Sequence, residues 1–173
     1  MFLKRFKEKS NLKFINKVLD SREVLINNKP IESIGVIFNF NEFHDKEAFK
    51  SFFKDIEVKE NHIKTITFIS DEKSAIVNSW DSCFSSKDFG WNGKINNVEL
   101  EQFINTKYDA LISYYNEDNL ELNLVSAASK ANFKIGISNN NLRLNDFIID
   151  VKSKDIEIFK TEVIKYLKVL NKI

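Results

Sequence analysis

The chain is predicted to be an α/β domain of the three-layer, Rossmann-like kind, with a mostly parallel sheet preceded by a basic N-terminal helix. Three observations carry this. Strand-like runs alternate with segments of helical period along most of the chain. The strand-like run Ser33-Ile34-Gly35-Val36-Ile37-Phe38 is apolar nearly throughout, as strands covered on both faces are. A length of 173 residues, 43% hydrophobic with sixteen Phe, is enough for one sizeable core.

Residues 1–22 carry Lys4, Arg5, Lys7, Lys9, Lys13, Lys17 and Arg22 against Glu8 and Asp20. The spacing is helical, but the apolar face drifts. Phe2, Leu3 and Phe6 form one cluster, and Leu12, Phe14, Ile15, Val18 and Leu19 form another beyond Ser10-Asn11. This predicts a short basic first segment and an amphipathic helix over roughly residues 11–20. Asn27-Asn28-Lys29-Pro30 reads as a linker, and residues 30–173 as a single α/β domain.

The first strand covers 33–38. Asp45 is placed to cap a helix whose apolar positions are Ala48, Phe49, Phe52, Phe53 and Ile56. β-Branched residues from Ile63 to Ile69 predict the second strand. Ser74 to Trp80 reads as a short helix or an extended stretch, and Ser82 to Asn97 as a long loop with room for a short strand. A short helix follows over 98–105, then a strand over 110–114. The next helix has Asn116 or Asp118 as its expected cap, with Leu120, Leu124, Ala127, Ala128 and Ala131 on one face. Strands at 133–137 and 147–149 flank a turn at Asn139-Asn140-Asn141. The last helix places Ile156, Phe159, Val163, Tyr166, Leu167 and Leu170 on one face.

Composition narrows the chemistry. Cys83 is the one cysteine, so neither an intramolecular disulfide nor a thiolate metal cluster is expected. The apolar runs are too short to span a bilayer, and the first residues lack the apolar stretch of a secretory signal. A cytoplasmic setting is the expectation. The formal charge of +1 hides an asymmetry: residues 1–22 are basic and the remainder is acidic.

Ligands of open α/β sheets bind beyond the carboxyl ends of the strands. Here that rim presents Asn39, Ser70, Asp71, Ser113, Tyr115 and Asn116, which are the candidate ligand-binding residues. They offer hydrogen bonds but no cations. The first strand–helix connection, Phe38-Asn39-Phe40-Asn41-Glu42-Phe43-His44-Asp45, has no glycine and brings three rings and two acids to where a phosphate would sit. No cofactor is expected. His44 beside Asp45 and His62 near Glu60 lack metal-ligand spacing, and Cys83 has no local nucleophile signature. Asp88-Phe89-Gly90 matches a kinase tripeptide without the rest of that motif set. Phe89, Trp91 and Trp80 are expected either to close over the sheet as a packed lid or to form an exposed contact surface. On the second reading Phe89 and Trp91, together with Phe2, Lys4, Arg5 and Phe6, are candidates for an interaction surface.

The stretches LKRFKEKSNLKFINKVL, FSSKDFGWNGKI, KYDALISYYNEDNLELNLVSAASKANFKIGIS and RLNDFIID resemble a domain-of-unknown-function family of small Bacteroidota proteins over nearly the whole chain. That resemblance implies a fold and a cytoplasmic setting, and no mechanism. Residues 108–150 bear a fainter likeness to the N-terminal half of heptosyltransferase-type glycosyltransferases, whose second, nucleotide-sugar-binding domain has no counterpart here.

The expected function is therefore that of a non-catalytic binding module. It would use its basic N-terminal helix and the aromatic-bearing 80–97 loop, with another protein or a second copy as partner. Peripheral contact with an anionic membrane is a further expectation, and specific nucleic-acid binding is not expected. The alternative is a small enzyme, or a glycosyltransferase-like remnant, with its site at the strand ends.

Overall fold

The computed structural model describes residues 2–23, 29–70 and 82–173. The expected short helix or extended stretch at 74–80, Asn27 and Asn28 of the linker, Asp71 and Trp80 lie outside the described residues.

Six strands form one all-parallel sheet: β1 (Ile34–Asn39), β2 (Ile63–Phe68), β3 (Cys83–Phe84), β4 (Ala110–Tyr114), β5 (Phe133–Gly136) and β6 (Phe147–Ile148). Their order is β3-β2-β1-β4-β5-β6. The order reverses between β1 and β4, which makes their carboxyl ends the topological switch point where doubly wound sheets bind ligands. β1 and β4 are buried along their whole length, as their continuous apolar sequence requires.

Helices α2 (Lys46–Asp55) and α5 (Ile156–Val169) cover one face, and α3 (Val98–Asn105) and α4 (Leu120–Ala128) cover the other. The first face is an aromatic core. The Tyr114 ring meets Phe43, Phe49 and Phe159 edge-on at 4.9, 4.8 and 5.1 Å between centroids, each contact adding about 1 kcal/mol beyond burial. Its hydroxyl escapes the apolar layer by donating to Ser153 O at 2.8 Å. The opposite face packs Leu100 and Phe103 of α3 and Leu122 and Val125 of α4 over Ile37, Ile66 and Leu111.

The N-terminal segment is a single unbroken helix, α1 (Phe2–Ser21), rather than a short segment followed by a second helix. The polar pair that looked like an interruption is a contact point. Asn11 is buried, donating from Nδ2 to Gly90 O (3.1 Å) and accepting at Oδ1 from Gly93 N (3.0 Å), while Ser10 Oγ accepts from Asn92 N (3.0 Å). Asn11, Ile15 and Leu19 form the buried stripe, and the helix packs on α4. The drift in the apolar pattern arises because Phe2, Leu3 and Phe6 leave the domain altogether and are 80%, 75% and 52% exposed.

Asp45 caps α2 as expected, accepting from Ala48 N. The cap of α4 is neither Asn116 nor Asp118. Asn119 takes that place and accepts from Glu121 N and Leu122 N. Asn119 stands immediately before the first helical residue, whereas Asn116 is one turn too early and is committed elsewhere. Ala131 lies beyond the end of α4, in the connection to β5.

Candidate functional site

The carboxyl rim at the switch point is occupied by the protein's own side chains. Asn39, at the end of β1, is fully buried. Its Nδ2 donates to Glu42 Oε1 at 2.9 Å and to Glu117 Oε2 at 2.8 Å, and its Oδ1 accepts from Asn41 N. Glu42 reaches across from the β1–α2 connection to the start of the β4–α4 turn. There its two oxygens accept the consecutive main-chain N–H groups of Asn116 (2.7 Å) and Glu117 (2.8 Å). Such amides at a strand–helix turn are what a bound phosphate uses in nucleotide-binding proteins of doubly wound architecture. A carboxylate of the same chain takes them here.

Asn116 is the hub of this rim. Its Oδ1 accepts from Ser153 N (2.7 Å), its Nδ2 donates to Val151 O (2.9 Å), and its carbonyl accepts from Asn140 Nδ2 (2.7 Å). It ties the β4–α4 turn to the loops after β5 and before α5. Ser70 is exposed and receives a hydrogen bond from Asn41 Nδ2 at 2.7 Å. Of the rim residues that the sequence presented as ligand-binding, Asn39, Ser70 and Asn116 make these internal contacts, and Asp71 lies outside the described residues.

Ser113 and Tyr115 point instead beneath α4. Ser126 Oγ sits 2.9 Å from Ser113 Oγ and 2.7 Å from Tyr115 Oη, a buried hydroxyl chain. Burial holds the Tyr115 phenol protonated far above its ordinary range. Among the described residues the partners of this chain of hydroxyls are the Ser113, Tyr115 and Ser126 side chains and, at 3.4 Å, Asn123 Oδ1. The crevice beside it, lined by Ser113, Tyr115, Glu117 and Asn145 among others, has a volume of about 10 Å³. That is room for one water, not for a metabolite.

Sequence reasoning missed Lys134, the fully buried side chain next to this seam. Its Nζ donates to the carbonyls of Ser126 (2.6 Å) and Ala127 (3.1 Å) at the C-terminal end of α4. The carbonyl end of a helix is a favourable place for a cation. Burial, with Arg22 adding repulsion, still lowers its pKa to about 7. The signal lay in the strand Phe133-Lys134-Ile135, where a lysine interrupts a run covered on both faces.

The histidines are apart and exposed. His44 stacks edge-on against Phe40 at 4.7 Å, and His62 Nδ1 lies 3.2 Å from Glu32 O. Among the described residues no group of three or more His, Cys, Asp and Glu side chains is arranged to hold a metal ion. Asp88-Phe89-Gly90 also has a structural role. Asp88 accepts Ser85 N in a capping box, Phe89 is buried against Phe84, and Gly90 contacts α1. The interaction role expected of Phe89 is thereby corrected: its ring is 2% exposed and belongs to the core.

The remaining candidates come together on α1. Phe2, Lys4, Arg5 and Phe6 are exposed on its first turns. The clamp formed by Ser10 and Asn11 holds residues 90–93 against the same helix, which keeps Trp91, 49% exposed, beside it. The helix runs antiparallel to the strands. Its middle meets the loop beyond β3, and Arg22 reaches Asp146, which bonds Lys134 N at the start of β5. The exposed rings of α1 therefore sit at the carboxyl-rim end of the molecule, next to the first residues of α4.

No helix among the described residues is long and apolar enough to cross a membrane. No curated protein and no solved structure matches the chain. A model of a family of unknown function, DUF6913, matches residues 7–170, and the chain belongs to that family.

Proposed function

We propose that this protein is a non-catalytic binding module whose working surface is the outer side of α1 together with the Trp91 loop. The observation that carries this reading is Glu42 seated on the amides of Asn116 and Glu117. The position this architecture reserves for a phosphorylated ligand is filled from within. The rival, an enzyme or glycosyltransferase-like remnant working at the strand ends, has less support. Asn39, Ser113, Tyr115 and Asn116 are spent on internal bonds. Asp109, in the stretch that resembles the glycosyltransferases, sits at the opposite rim, where its Oδ2 accepts Ser33 N (2.9 Å).

The lone Cys83 favours a reducing compartment, and we place the protein in the cytoplasm. The Lys-, Asn- and Ile-rich composition is in keeping with the Bacteroidota source implied by the resemblance.

The test compares wild type with Phe2→Ser/Phe6→Ser and with Trp91→Ser for what each retains from native cell extract and membranes. All three should melt at about the same temperature, because the altered side chains are exposed. Loss of retained material in the variants supports the reading. Identical retention overturns it.

A further inference from the structure

The outward side of α1 has a definite chemistry. Counting at helical period from the buried residues Asn11, Ile15 and Leu19, the opposite side carries Phe2, Phe6, Lys9, Lys13 and Lys17. The Phe2 and Phe6 rings lie 5.8 Å apart and tilted against each other. Lys9, Lys13 and Lys17 are all exposed and extend the same ridge over about 22 Å. Of the two carboxylates in α1, Asp20 is paired with Arg143, and Glu8 lines the groove toward α4. The ridge thus has an aromatic tip followed by a row of cations.

The charge of the molecule is polarised in the same sense. Seven Lys and Arg against two carboxylates make residues 1–22 +5, which leaves −4 for the remainder of a chain whose total is +1. An anionic surface attracts α1 and repels the domain behind it.

We infer that this ridge docks peripherally on an anionic lipid bilayer, an inference that rests on the reading of α1 as the working surface. Rings at the tip enter the boundary between headgroups and acyl chains, and lysine stems lie along the surface with their ammonium groups on lipid phosphates. Trp91, half exposed on the loop clamped to the same helix, has the amphipathic ring favoured at membrane interfaces. The outward ridge is convex, and the groove between Arg5, Glu8, Lys9 and Leu12 and the start of α4 lies on its flank; exposed rings followed by a row of lysines favour a lipid surface over a protein partner. The ridge also favours lipid over RNA, because the Phe2 and Phe6 rings pack on each other instead of standing apart as stacking platforms.

The experiment is vesicle flotation of the full chain with phosphatidylcholine alone and with about 30% phosphatidylglycerol, at low salt and at about 0.5 M salt. The protein should float with the anionic vesicles only, and salt should release most of it. Lys9→Gln/Lys13→Gln/Lys17→Gln should weaken binding about 100-fold, at about fivefold per lysine. Phe2→Ser/Phe6→Ser should remove the fraction that survives salt. Lys54→Gln/Lys154→Gln/Lys168→Gln, the same charge change on exposed residues at the α2–α5 side, should bind as wild type does. No flotation with anionic vesicles, or equal loss in both lysine triples, overturns the inference. Retention that is instead nuclease-sensitive, or a self-association lost in the Phe2/Phe6 variant, also overturns it, while leaving the α1 surface reading standing. If the Phe2/Phe6 and α1 lysine variants change neither lipid binding nor any other retention, both readings fall.

Discussion

The carboxylate of Glu42 accepts the main-chain N–H of Asn116 at 2.7 Å, and through its other oxygen that of Glu117 at 2.8 Å. The contact joins the two loops that diverge at the switch point. Charge-assisted bonds of this kind contribute about 1.5–3 kcal/mol, and leaving the amides unmade adds a desolvation cost. Glu42→Ala should lower unfolding stability by about 2–4 kcal/mol in urea denaturation. Small anions should then restore part of the loss: phosphate should raise the melting temperature of the variant more than that of wild type.

Arg22 and Asp146 form a second paired contact, bidentate at 2.8 and 2.6 Å with side chains 13% and 5% exposed. Removing one partner strands a charge in a poorly hydrated place. Arg22→Ala and Asp146→Asn should each cost about 2–4 kcal/mol. Asp146 also accepts Lys134 N, so its loss should be the greater. In a double-mutant cycle the two losses should fall well short of additive, as they do for groups acting as a unit.

Lys134 sets a pH dependence. Its folded pKa is lowered to about 7 from the ordinary 10.5. Between these values the unfolded chain holds a proton that the folded chain has lost, so stability rises with pH through this window and is lost again as pH falls toward 7. The slope from this one group is at most about 1.4 kcal/mol per pH unit. Urea midpoints at pH 7, 8 and 9 should rise in wild type relative to Lys134→Met, which lacks the titrating group. A constant difference between the two proteins across that range would contradict the assignment.

Gly93 and Asn11 hold the Trp91 loop on α1. Gly93 adopts φ +73°, and a Cβ there would lie 2.3 Å from the Phe14 ring. Gly93→Ala should cost about 2 kcal/mol or more, through backbone strain and a displaced ring. Asn11→Leu leaves Gly90 O and Gly93 N without their partner. It should loosen the loop, read as faster depolarisation of Trp91 fluorescence in a protein that also carries Trp80→Phe.

Much of the fold was legible because its signals are local. The apolar run at 33–38, the helical spacing of Phe49, Phe52 and Phe53, and the cap at Asp45 all lie within one element and its neighbour. Misread features depended on distant partners. Asn11 looked like an interruption because nothing near it in sequence shows that Gly90 and Gly93 satisfy its amide. Asn119 was passed over because Asn116 and Asp118 carry the same chemistry, and only the register of the helix separates them. Lys134 gave a local signal, but its burial depends on α4 closing over β5.

The candidate site followed the same rule. The sequence showed that the rim lacks glycines and cations, which is a matter of composition. That Glu42, and not the adjacent Glu117, takes the amides at the β4–α4 turn depends on how two loops 74 residues apart meet. The same limit applies to Phe89 and Trp91, two residues apart, of which one fills the core and the other faces solvent.

The most direct test of the account is an amide-resolved NMR titration of the wild-type protein with pyrophosphate, a dinucleotide and a nucleotide sugar, following the N–H signals of Asn116 and Glu117. These signals should stay in place at about millimolar ligand, because Glu42 already holds both amides. Saturable shifts of the two signals, accompanied by a rise of several degrees in melting temperature, would contradict it.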